Sequence, residues 1–451
     1  GSGHLRVVHL EEELDDGYCR DTIPRLPGAN GNVEPGVNAD FHAQHVRFGW
    51  GSGIVPRLDC KLELETGKLR IYRNSHIDVE RDGDGGDRIR CSDETVACSG
   101  NGKISPTMTV SKANVNLNYG SVLELEQLVL SVVHGEGHHR VEVPLTLVAA
   151  QGIRLSEHIR NDKSNERLWV NVLVQGYGAY GLNLEAQLDE LQMCLLRQGF
   201  VLAFAHVRGG SEKGREWHES GKGQKKINSF KDMLACVQFL HDANIVHPHG
   251  LCGEASSAGG LLLGGCVNMR PELFTALVIR VGFMDPLTAM LNKSLPLTLQ
   301  EHKEWGDPAT NQEVFDAIRS FSPYQNLDVA VVGDKALDSP RAQNQHFPSV
   351  LLSAGEEDCR VPYWQPTKYL AKLRALTLDR DNCYDNNMEV RAGPGQQYFL
   401  RFDRGAGHFG SGSWDQRLDV RAEEYAFLIE EIRHAKRAEG FNDVITGHGL
   451  S

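Results

Sequence analysis

Residues 251–267 read LCGEASSAGGLLLGGCV, and this stretch decides the fold of the chain. It places two adjacent serines and two glycines between a short apolar run and a second apolar run of helical length. A nucleophile on a sharp strand-to-helix turn needs small residues two positions before and two positions after it, because the backbones approach closely there. Ser257 has Ala255 and Gly259 at those positions, whereas Ser256 would have a glutamate before it. The stretch predicts either a nucleophile elbow at Ser257 or a helix that begins at a serine cap.

The composition limits the class of protein. The chain has 451 residues, of which 40% are hydrophobic and 24% charged, and its formal net charge is -13. These values are typical of a globular protein with a large core and more than one domain, and the negative charge argues against a nucleic-acid partner. No apolar run has the length of a membrane span, so no membrane association is expected. The first residue is not Met, which is expected of a fragment or a processed chain.

The cysteines indicate the redox compartment. Ten cysteines are scattered along the chain without a C-x-x-C pair. This spacing fits neither a disulfide framework nor a zinc site, so no metal is predicted. A reducing, cytoplasmic location is the simplest expectation.

The first part of the chain has the pattern of β-structure. Residues 4–80 alternate polar and apolar side chains between turn signals, as in KLELETGKLRIY at 61–72, which predicts antiparallel strands. Residues 81–122 begin with a run rich in Gly, Asp and Ser whose spacing does not match a calcium-binding EF-hand. This segment is predicted to be a flexible insertion, and the loop at 377–397 is predicted to be a second insertion with no assigned role.

The remaining chain, residues 123–451, alternates apolar runs with helical stretches. The run FVLAFA at 200–205 is typical, because it is apolar at every position. Such strands alternating with helices predict a mostly parallel, doubly wound sheet covered on both faces, with its ligand at the carboxyl ends of the strands. Helices are predicted at 184–198, 230–243 and 419–435.

Two later segments supply partners for a serine nucleophile, which needs a base and an acid that orients the base. His408 lies in the glycine-rich segment RGAGHFGSGS, which can present an imidazole; the alternative is an exposed, inert histidine. Asp358 follows the apolar run SVLLSAG, and the two glutamates before it are alternative carboxylates. The order Ser257, Asp358, His408 is the order found in the α/β-hydrolase fold.

Six stretches, in order along the chain, resemble the prolyl oligopeptidase family of serine peptidases, and its oligopeptidase B branch most closely. The resemblance covers residues 123–431 and, more faintly, residues 4–80, which look like the end of the seven-bladed β-propeller of that family. The six stretches are VQGYGAYG (174–181), GFVLAFAHVRGGSEKGREWHESG (199–221), SSAGGLLLGGCVNMRPELF (256–274), LPLTLQEHKEWGDP (295–308), GEEDCRVPYWQPTKYLAKLR (355–374) and GAGHFGSG (405–412).

The resemblance implies a domain organisation. A β-propeller remnant is expected at 1–80, the flexible insertion at 81–122 and an α/β-hydrolase catalytic domain at 123–451. Most of the propeller that restricts entry to short peptides in this family is expected to be absent. A protein partner or self-association is therefore expected to cover the open face.

The resemblance also implies roles for individual residues. Ser257 would be the nucleophile, His408 the general base and then acid, and Asp358 the group that orients His408. The oxyanion hole would consist of the hydroxyl of Tyr177 and the backbone N–H of Ala258. The alternative for Tyr177 is a core aromatic beside tight glycines.

Substrate binding is implied for two further residues. Arg360 matches an arginine that binds a substrate carbonyl; a surface ion pair with the glutamates at 356 and 357 is the alternative. Glu301 matches one of two acids that give the oligopeptidase B branch its preference for Arg or Lys before the scissile bond. Lys303 replaces the second acid and is expected to repel a basic side chain and to neutralise Glu301. Ala255 replaces the usual first glycine of the elbow, at an expected cost of about 1 kcal/mol if the turn needs a positive φ there.

These observations predict a serine peptidase that hydrolyses short peptides through an acyl-enzyme without a cofactor, and with a doubtful preference for basic residues. The alternatives are an esterase or thioesterase that uses the same triad, and a non-catalytic interaction subunit of a larger assembly.

Overall fold

The computed structural model describes most of the chain from residue 44 to residue 441. The described residues are 44–64, 68–72, 91–98, 103–105, 107–116, 122–162, 165–189, 191–332, 347–382, 396–410 and 412–441, together with strand segments at 7–9, 20–22, 32–35, 79–81 and 87–89.

The first eight strands form three small antiparallel sheets, and those before residue 81 lie where the alternating pattern predicts strands. Strands β1 and β2 pair with each other, β3 to β6 form a four-stranded meander, and β7 pairs with β8. A four-stranded antiparallel sheet is the size of one propeller blade. The strands are β1 (Val7–His9), β2 (Arg20–Thr22), β3 (Asn32–Pro35), β4 (His45–Ser52), β5 (Val55–Glu63), β6 (Leu69–Tyr72), β7 (Val79–Arg81) and β8 (Asp87–Ile89).

A ten-stranded mixed sheet forms the centre of the protein. The strands are β9 (Cys91–Ala97), β10 (Thr107–Asn116), β11 (Val122–His134), β12 (Val141–Ala150), β13 (Val170–Gln175), β14 (Phe200–Ala205), β15 (Val246–Ser256), β16 (Ala276–Arg280), β17 (Ser349–Gly355) and β18 (Tyr398–Asp403). Their order is β18-β17-β16-β15-β13-β14-β12-β11-β10-β9. Strands β13 to β18 are parallel to their neighbours within that group, and β9 to β12 are antiparallel. The predicted α/β-hydrolase sheet is therefore present.

Helices cover both faces of this sheet. They are α1 (Leu155–Arg160), α2 (Met193–Arg197), α3 (Arg215–Glu219), α4 (Ile227–Asp242), α5 (Ala258–Met269), α6 (Pro286–Leu291), α7 (Thr298–Trp305), α8 (Gln312–Phe321), α9 (Pro323–Val332), α10 (Trp364–Asn382) and α11 (Trp414–Ala438). Short 3₁₀ turns lie at Gly137–His139, Gln151–Ile153, Gly223–Lys225 and Pro271–Leu273.

The core has two layers because alternate strand residues point to opposite faces. In β13, Val172 and Val174 pack on the face covered by α4, α5 and α9, whereas Leu173 packs on the face covered by α2 and α11. The second layer also contains residues of the small meander, including Trp50 and Leu58. The meander is therefore packed against the main sheet through the shared core.

The prediction of a flexible insertion over residues 81–122 is wrong for its described strands. Strands β9 and β10 extend the main sheet, with β10 pairing to β11 over eight residues. The physical reason is the alternating pattern of TMTVSKANVN, which buries Met108 and Val110 on one face of the sheet and Ala113 and Val115 on the other. The Gly- and Asp-rich composition before it hid this alternation.

Three helix predictions have different outcomes. The stretch predicted as a helix at 184–198 is helical only in α2, whereas those predicted at 230–243 and 419–435 correspond to α4 and α11. Helix α11 begins earlier than predicted, because Ser413 and Gln416 form a reciprocal capping box. The predicted insertion at 377–397 begins within α10, and residues 383–395 lie outside the described residues.

Candidate active site

The turn at Ser257 joins β15 to α5 and has the geometry of a nucleophile elbow. Its φ of 52° and ψ of -123° put a non-glycine residue in a strained region. Neighbouring backbone holds it there: the N–H of Ser257 donates to the carbonyl of Arg280 at 3.0 Å, and the N–H of Phe283 donates to the carbonyl of Ser257 at 2.9 Å. The Ser257 side chain makes no capping hydrogen bond to α5, so the helix-cap alternative is wrong.

The small residues after Ser257 are required by close backbone approaches. A Cβ on Gly259 would lie 2.8 Å from the carbonyl oxygen of Gly176, and one on Gly260 would lie 2.7 Å from the Cα of Gly282. Ala255 is different, because it lies within β15 and the positive φ belongs to Ser257. The expected strain at Ala255 is therefore absent.

The structure brings together the three residues that the sequence order predicts. His408 Nε2 lies 3.0 Å from Ser257 Oγ, and His408 Nδ1 lies 2.7 Å from Asp358 Oδ2. The side chain of Asp358 is fully buried and that of His408 is 8% exposed. The three groups therefore form one continuous hydrogen-bonded line from a buried carboxylate to a serine hydroxyl.

The carboxylate of Asp358 is fixed by the loop after β17. Its Oδ1 accepts the backbone N–H of Arg360 at 2.8 Å and that of Val361 at 2.9 Å, which leaves Oδ2 for the histidine. The alternative carboxylates, Glu356 and Glu357, are exposed. Asp358 is thus the carboxylate of this loop that is held against His408.

Tyr177 follows β13 and borders the serine. It is partly buried, its pKa is raised by burial, and a hydrogen bond with the Ser257 side chain acts in the opposite direction. The ring packs against the hydrophobic core and also lines the pocket beside Ser257. Ala258 is the first residue of α5, where backbone N–H groups have no helical partner.

A pocket of about 210 Å³, open to solvent, lies beside Ser257. Its wall is mainly apolar, and Glu301 supplies the carboxylate among the described lining residues. The lining consists of Tyr177, Tyr180, Leu182, Ser257, Ala258, Phe283, Ala289, Met290, Leu295, Leu297, Thr298, Glu301, Cys359, Arg360, Val361, Pro362 and Gln365.

The expected contact between Lys303 and Glu301 does not form. Glu301 Oε2 instead accepts the hydroxyl of Tyr180 at 2.7 Å and the indole N–H of Trp305 at 2.8 Å. Lys303 is exposed and is not among the residues that line the pocket. The reason is helix geometry, because two residues along α7 correspond to a rotation of about 200°.

Arg360 is one of the residues that line the pocket. Its guanidinium is 5.1 Å from the ring centroid of Phe409, the residue after His408. Among the described ion pairs there is none between Arg360 and Glu356 or Glu357, so the surface ion-pair alternative is not observed. Arg360 is exposed and lines the pocket.

Sequence reasoning missed a group of residues behind the pocket. Glu304 is buried and accepts the backbone N–H of Tyr180 at 2.9 Å, and it lies 2.8 Å from Nε2 of His218. Lys226 is fully buried beside them. It is one of three lysines in GKGQKK, and nothing in that pattern indicates which lysine is buried.

Neither a membrane-spanning helix nor a metal-binding cluster is found among the described residues. No described helix has the length and apolarity needed to cross a membrane. In the same part of the chain, no three His, Cys, Asp or Glu side chains are grouped as a metal site.

Comparisons with known proteins identify relatives. The sequence profile of the prolyl oligopeptidase family matches residues 187–435. Protease 2 of Moraxella lacunata is 36% identical over 296 residues, which is 66% of this chain and 37% of that protein. A prolyl endopeptidase-like protein of Xenopus laevis is 36% identical over 262 residues, which is 58% of this chain and 34% of that protein. This chain thus spans about a third of the length of these relatives.

A solved structure has the same fold. Oligopeptidase B from Trypanosoma brucei, in a closed form with covalently bound antipain, superposes with a TM-score of 0.66 at 24% identity. The match covers 95% of this chain and 49% of that one. The fold similarity therefore extends over both the main sheet and the strands that precede it.

Proposed function

This chain belongs to the prolyl oligopeptidase family, and we propose that it is a serine peptidase that hydrolyses short peptides through an acyl-enzyme. The observation that carries the proposal is the hydrogen-bonded line from Asp358 through His408 to Ser257. A buried carboxylate in contact with Nδ1 selects the tautomer whose Nε2 accepts the serine proton. This arrangement also favours an enzyme over a non-catalytic interaction subunit.

Acylation follows from these positions. Ser257 Oγ attacks the scissile carbonyl carbon while its proton moves to His408 Nε2, and Asp358 stabilises the imidazolium without taking the proton. The carbonyl oxygen becomes an oxyanion that accepts hydrogen bonds from the Tyr177 hydroxyl and the Ala258 N–H. When the tetrahedral intermediate collapses, the C–N bond breaks, and His408 gives its proton to the departing amine.

Deacylation repeats the sequence with water. His408 Nε2 takes a proton from a water molecule, which attacks the ester carbon of the acyl-enzyme. The C–O bond to Ser257 then breaks, and His408 returns the proton to Ser257 Oγ. The products are a peptide acid and the regenerated serine, so neither acylation nor deacylation uses a metal or cofactor.

The pocket supports a preference for a long basic side chain before the scissile bond. Its apolar wall, which includes Phe283 and Met290, suits an aliphatic stem, and Glu301 suits a cationic end. Lys303 no longer argues against this preference, since it is exposed outside the pocket. Arg360, at the rim, is proposed to donate to a substrate carbonyl.

The domain organisation is a further part of the proposal. We assign β3 to β6 to the end of a propeller and the main sheet, including β9 and β10, to the catalytic domain. A partner or a second copy is proposed to cover the pocket mouth, which is supported by the exposure of Leu182 (53%) and Phe409 (83%). Cleavage of peptides of increasing length tests this cover. If the site is covered, the protein should cleave short peptides and not long ones. Cleavage of a long unfolded protein at the same rate as short peptides contradicts the proposed cover.

A reducing, cytoplasmic location is also proposed. It is supported by the seven cysteines that are free in the described part of the chain, five of them buried or partly buried. Imaging of a fluorescent fusion of the full-length gene product tests the location, and secretion of that fusion contradicts it.

Covalent labelling tests the serine peptidase directly. A fluorophosphonate probe should label the folded chain, and Ser257→Ala should abolish the labelling. Ser256→Ala is the matched control and should be labelled like the wild type. Absence of labelling in folded wild-type protein contradicts the proposal.

Substrate panels then separate peptidase from esterase. Fluorogenic dipeptide amides ending in Arg, Lys, Phe or Pro are compared with short acyl esters. Cleavage of the Arg and Lys amides is expected. Turnover of esters without amide cleavage points to the esterase alternative.

A further inference from the structure

Lys226, at the start of α4, is a fully buried lysine that the proposed reaction does not use. Burying an ammonium group is unfavourable unless it gains hydrogen bonds or a partner charge. The ammonium of Lys226 donates to the backbone carbonyl of Gly178 and lies 5.2 Å from the ring centroid of Trp305. The lysine is thus buried against the loop that follows β13.

The carbonyl that Lys226 holds is next to Tyr177. Gly178 has a φ of +64°, and a Cβ there would lie 2.6 Å from Cγ2 of Val207. The backbone of this loop is therefore closely confined, and the orientation of the Gly178 peptide affects where the adjacent Tyr177 ring points. That ring lines the pocket beside Ser257.

The other end of the same loop is held by α7. The N–H of Tyr180 donates to Glu304, and the hydroxyl of Tyr180 donates to Glu301. Glu304 is also the charged group whose attraction opposes the effect of burial on Lys226. His218, from α3, lies on the far side of the Glu304 carboxylate. Residues 177–180 are thus clamped between Lys226 and α7.

We propose that Lys226 is a positioning residue for the oxyanion hole, because its hydrogen bond to Gly178 holds the Tyr177 hydroxyl where the tetrahedral oxyanion forms. This inference rests on the proposed serine peptidase function. Hydrogen-bond donors in an oxyanion hole are effective when they are already in place before the reaction. A displacement of about 1 Å is enough to lower a rate by about 100-fold.

The first test is Lys226→Met, which keeps an unbranched side chain, shorter by one atom, and removes its donor. The neighbouring exposed lysine offers a matched control, Lys225→Met. With a fluorogenic arginyl dipeptide amide, Lys226→Met should lower kcat by about 10- to 100-fold with KM within about threefold. Lys225→Met should leave both constants within about twofold. Equal kcat in Lys226→Met and the wild type overturns the proposal.

A double-mutant cycle separates positioning from a general loss of structure. Tyr177→Phe removes the oxyanion donor itself, so Lys226→Met should have little further effect on kcat in that background. Additive losses overturn the positioning role, because they mean that Lys226 acts independently of the Tyr177 hydroxyl. Thermal unfolding checks that each variant is folded, and Lys226→Leu, which also lacks a donor, replaces Lys226→Met in the cycle if the latter is unfolded.

The activity of the wild type distinguishes a failure of this proposal from a failure of the proposed function. If the wild type neither reacts with a fluorophosphonate nor cleaves any substrate, the serine peptidase itself is contradicted. If the wild type is active and the cycle is additive, only the role of Lys226 is contradicted.

Discussion

The hydrolytic centre (Ser257, Asp358 and His408) and the recognition wall (Tyr180 and helix α7) border the same pocket but are built differently. The hydrolytic centre comes from the segments that follow β15, β17 and β18, parallel strands whose carboxyl ends meet at one edge of the sheet. The recognition wall combines the loop after β13 with a helix that lies between β16 and β17 in the chain. Its hydrogen bond from Tyr180 to Glu304 joins residues 124 positions apart. The chemistry is therefore encoded in local motifs, whereas recognition depends on long-range packing.

The largest effect should come from the hydrolytic centre. Ser257→Ala removes the attacking oxygen and should lower kcat by about a million-fold. Ser256→Ala should retain activity within about threefold, since the neighbouring serine lies at the exposed end of β15. Peptide-amide hydrolysis by the two folded variants measures this difference. If Ser256→Ala is the inactive variant, the assignment of the elbow is wrong.

A smaller effect should follow from Asp358→Asn. The amide can still accept the backbone N–H groups of Arg360 and Val361, so the fold of the loop should persist. It can also donate to His408 Nδ1, which favours the tautomer that cannot take the serine proton, and kcat should fall by about 10⁴-fold at neutral pH. Glu357→Gln, an exposed neighbour, is the control. Comparable losses in the two variants would argue against Asp358 as the orienting carboxylate.

The contrast also explains what the sequence predicts well. The elbow and Asp358 each follow an apolar strand, and His408 lies in a short glycine-rich motif late in the chain, so their order along the chain was enough to predict that they meet. Glu301 could be identified from its motif. That Lys303 lies outside the pocket could not be predicted without the orientation of α7 about its own axis. Lys226 was missed because its burial depends on Gly178 and Trp305, which lie far from it in sequence.

The recognition wall should show a moderate effect that depends on the substrate. Glu301→Gln removes the carboxylate that faces the pocket and should lower kcat/KM for an arginyl amide by about 10- to 100-fold, as expected for one buried charge contact. The value for a phenylalanyl amide should change by less than about threefold. Lys303→Ala is the control, because Lys303 is exposed outside the pocket. A large change in arginyl specificity in Lys303→Ala would restore the expectation that this lysine governs basic substrates.

The hydrogen bond from Lys226 to Gly178 should make kcat depend on pH. Burial lowers the pKa of Lys226 to about 8, against the attraction of Glu304. As the pH rises through that value, Lys226 loses its proton, and its hydrogen bond to Gly178 changes from a charge-assisted bond to a weaker neutral one. The kcat of the wild type should therefore fall a few-fold above about pH 8. The same decline in Lys226→Met would assign it to another group.

The smallest effect should come from Ala255, where the usual elbow glycine is replaced. The positive φ lies at Ser257, and Ala255 occupies an ordinary position in β15, so Ala255→Gly relieves no strain. Glycine within a strand is instead less stable than alanine, by about 0.5–1 kcal/mol. Thermal or denaturant unfolding should show this loss, while kcat changes by less than about threefold. A gain in both stability and kcat would mean that Ala255 does strain the elbow. The hydrolytic centre would then resemble the recognition wall, because the effect of one of its residues could not be inferred from the local motif.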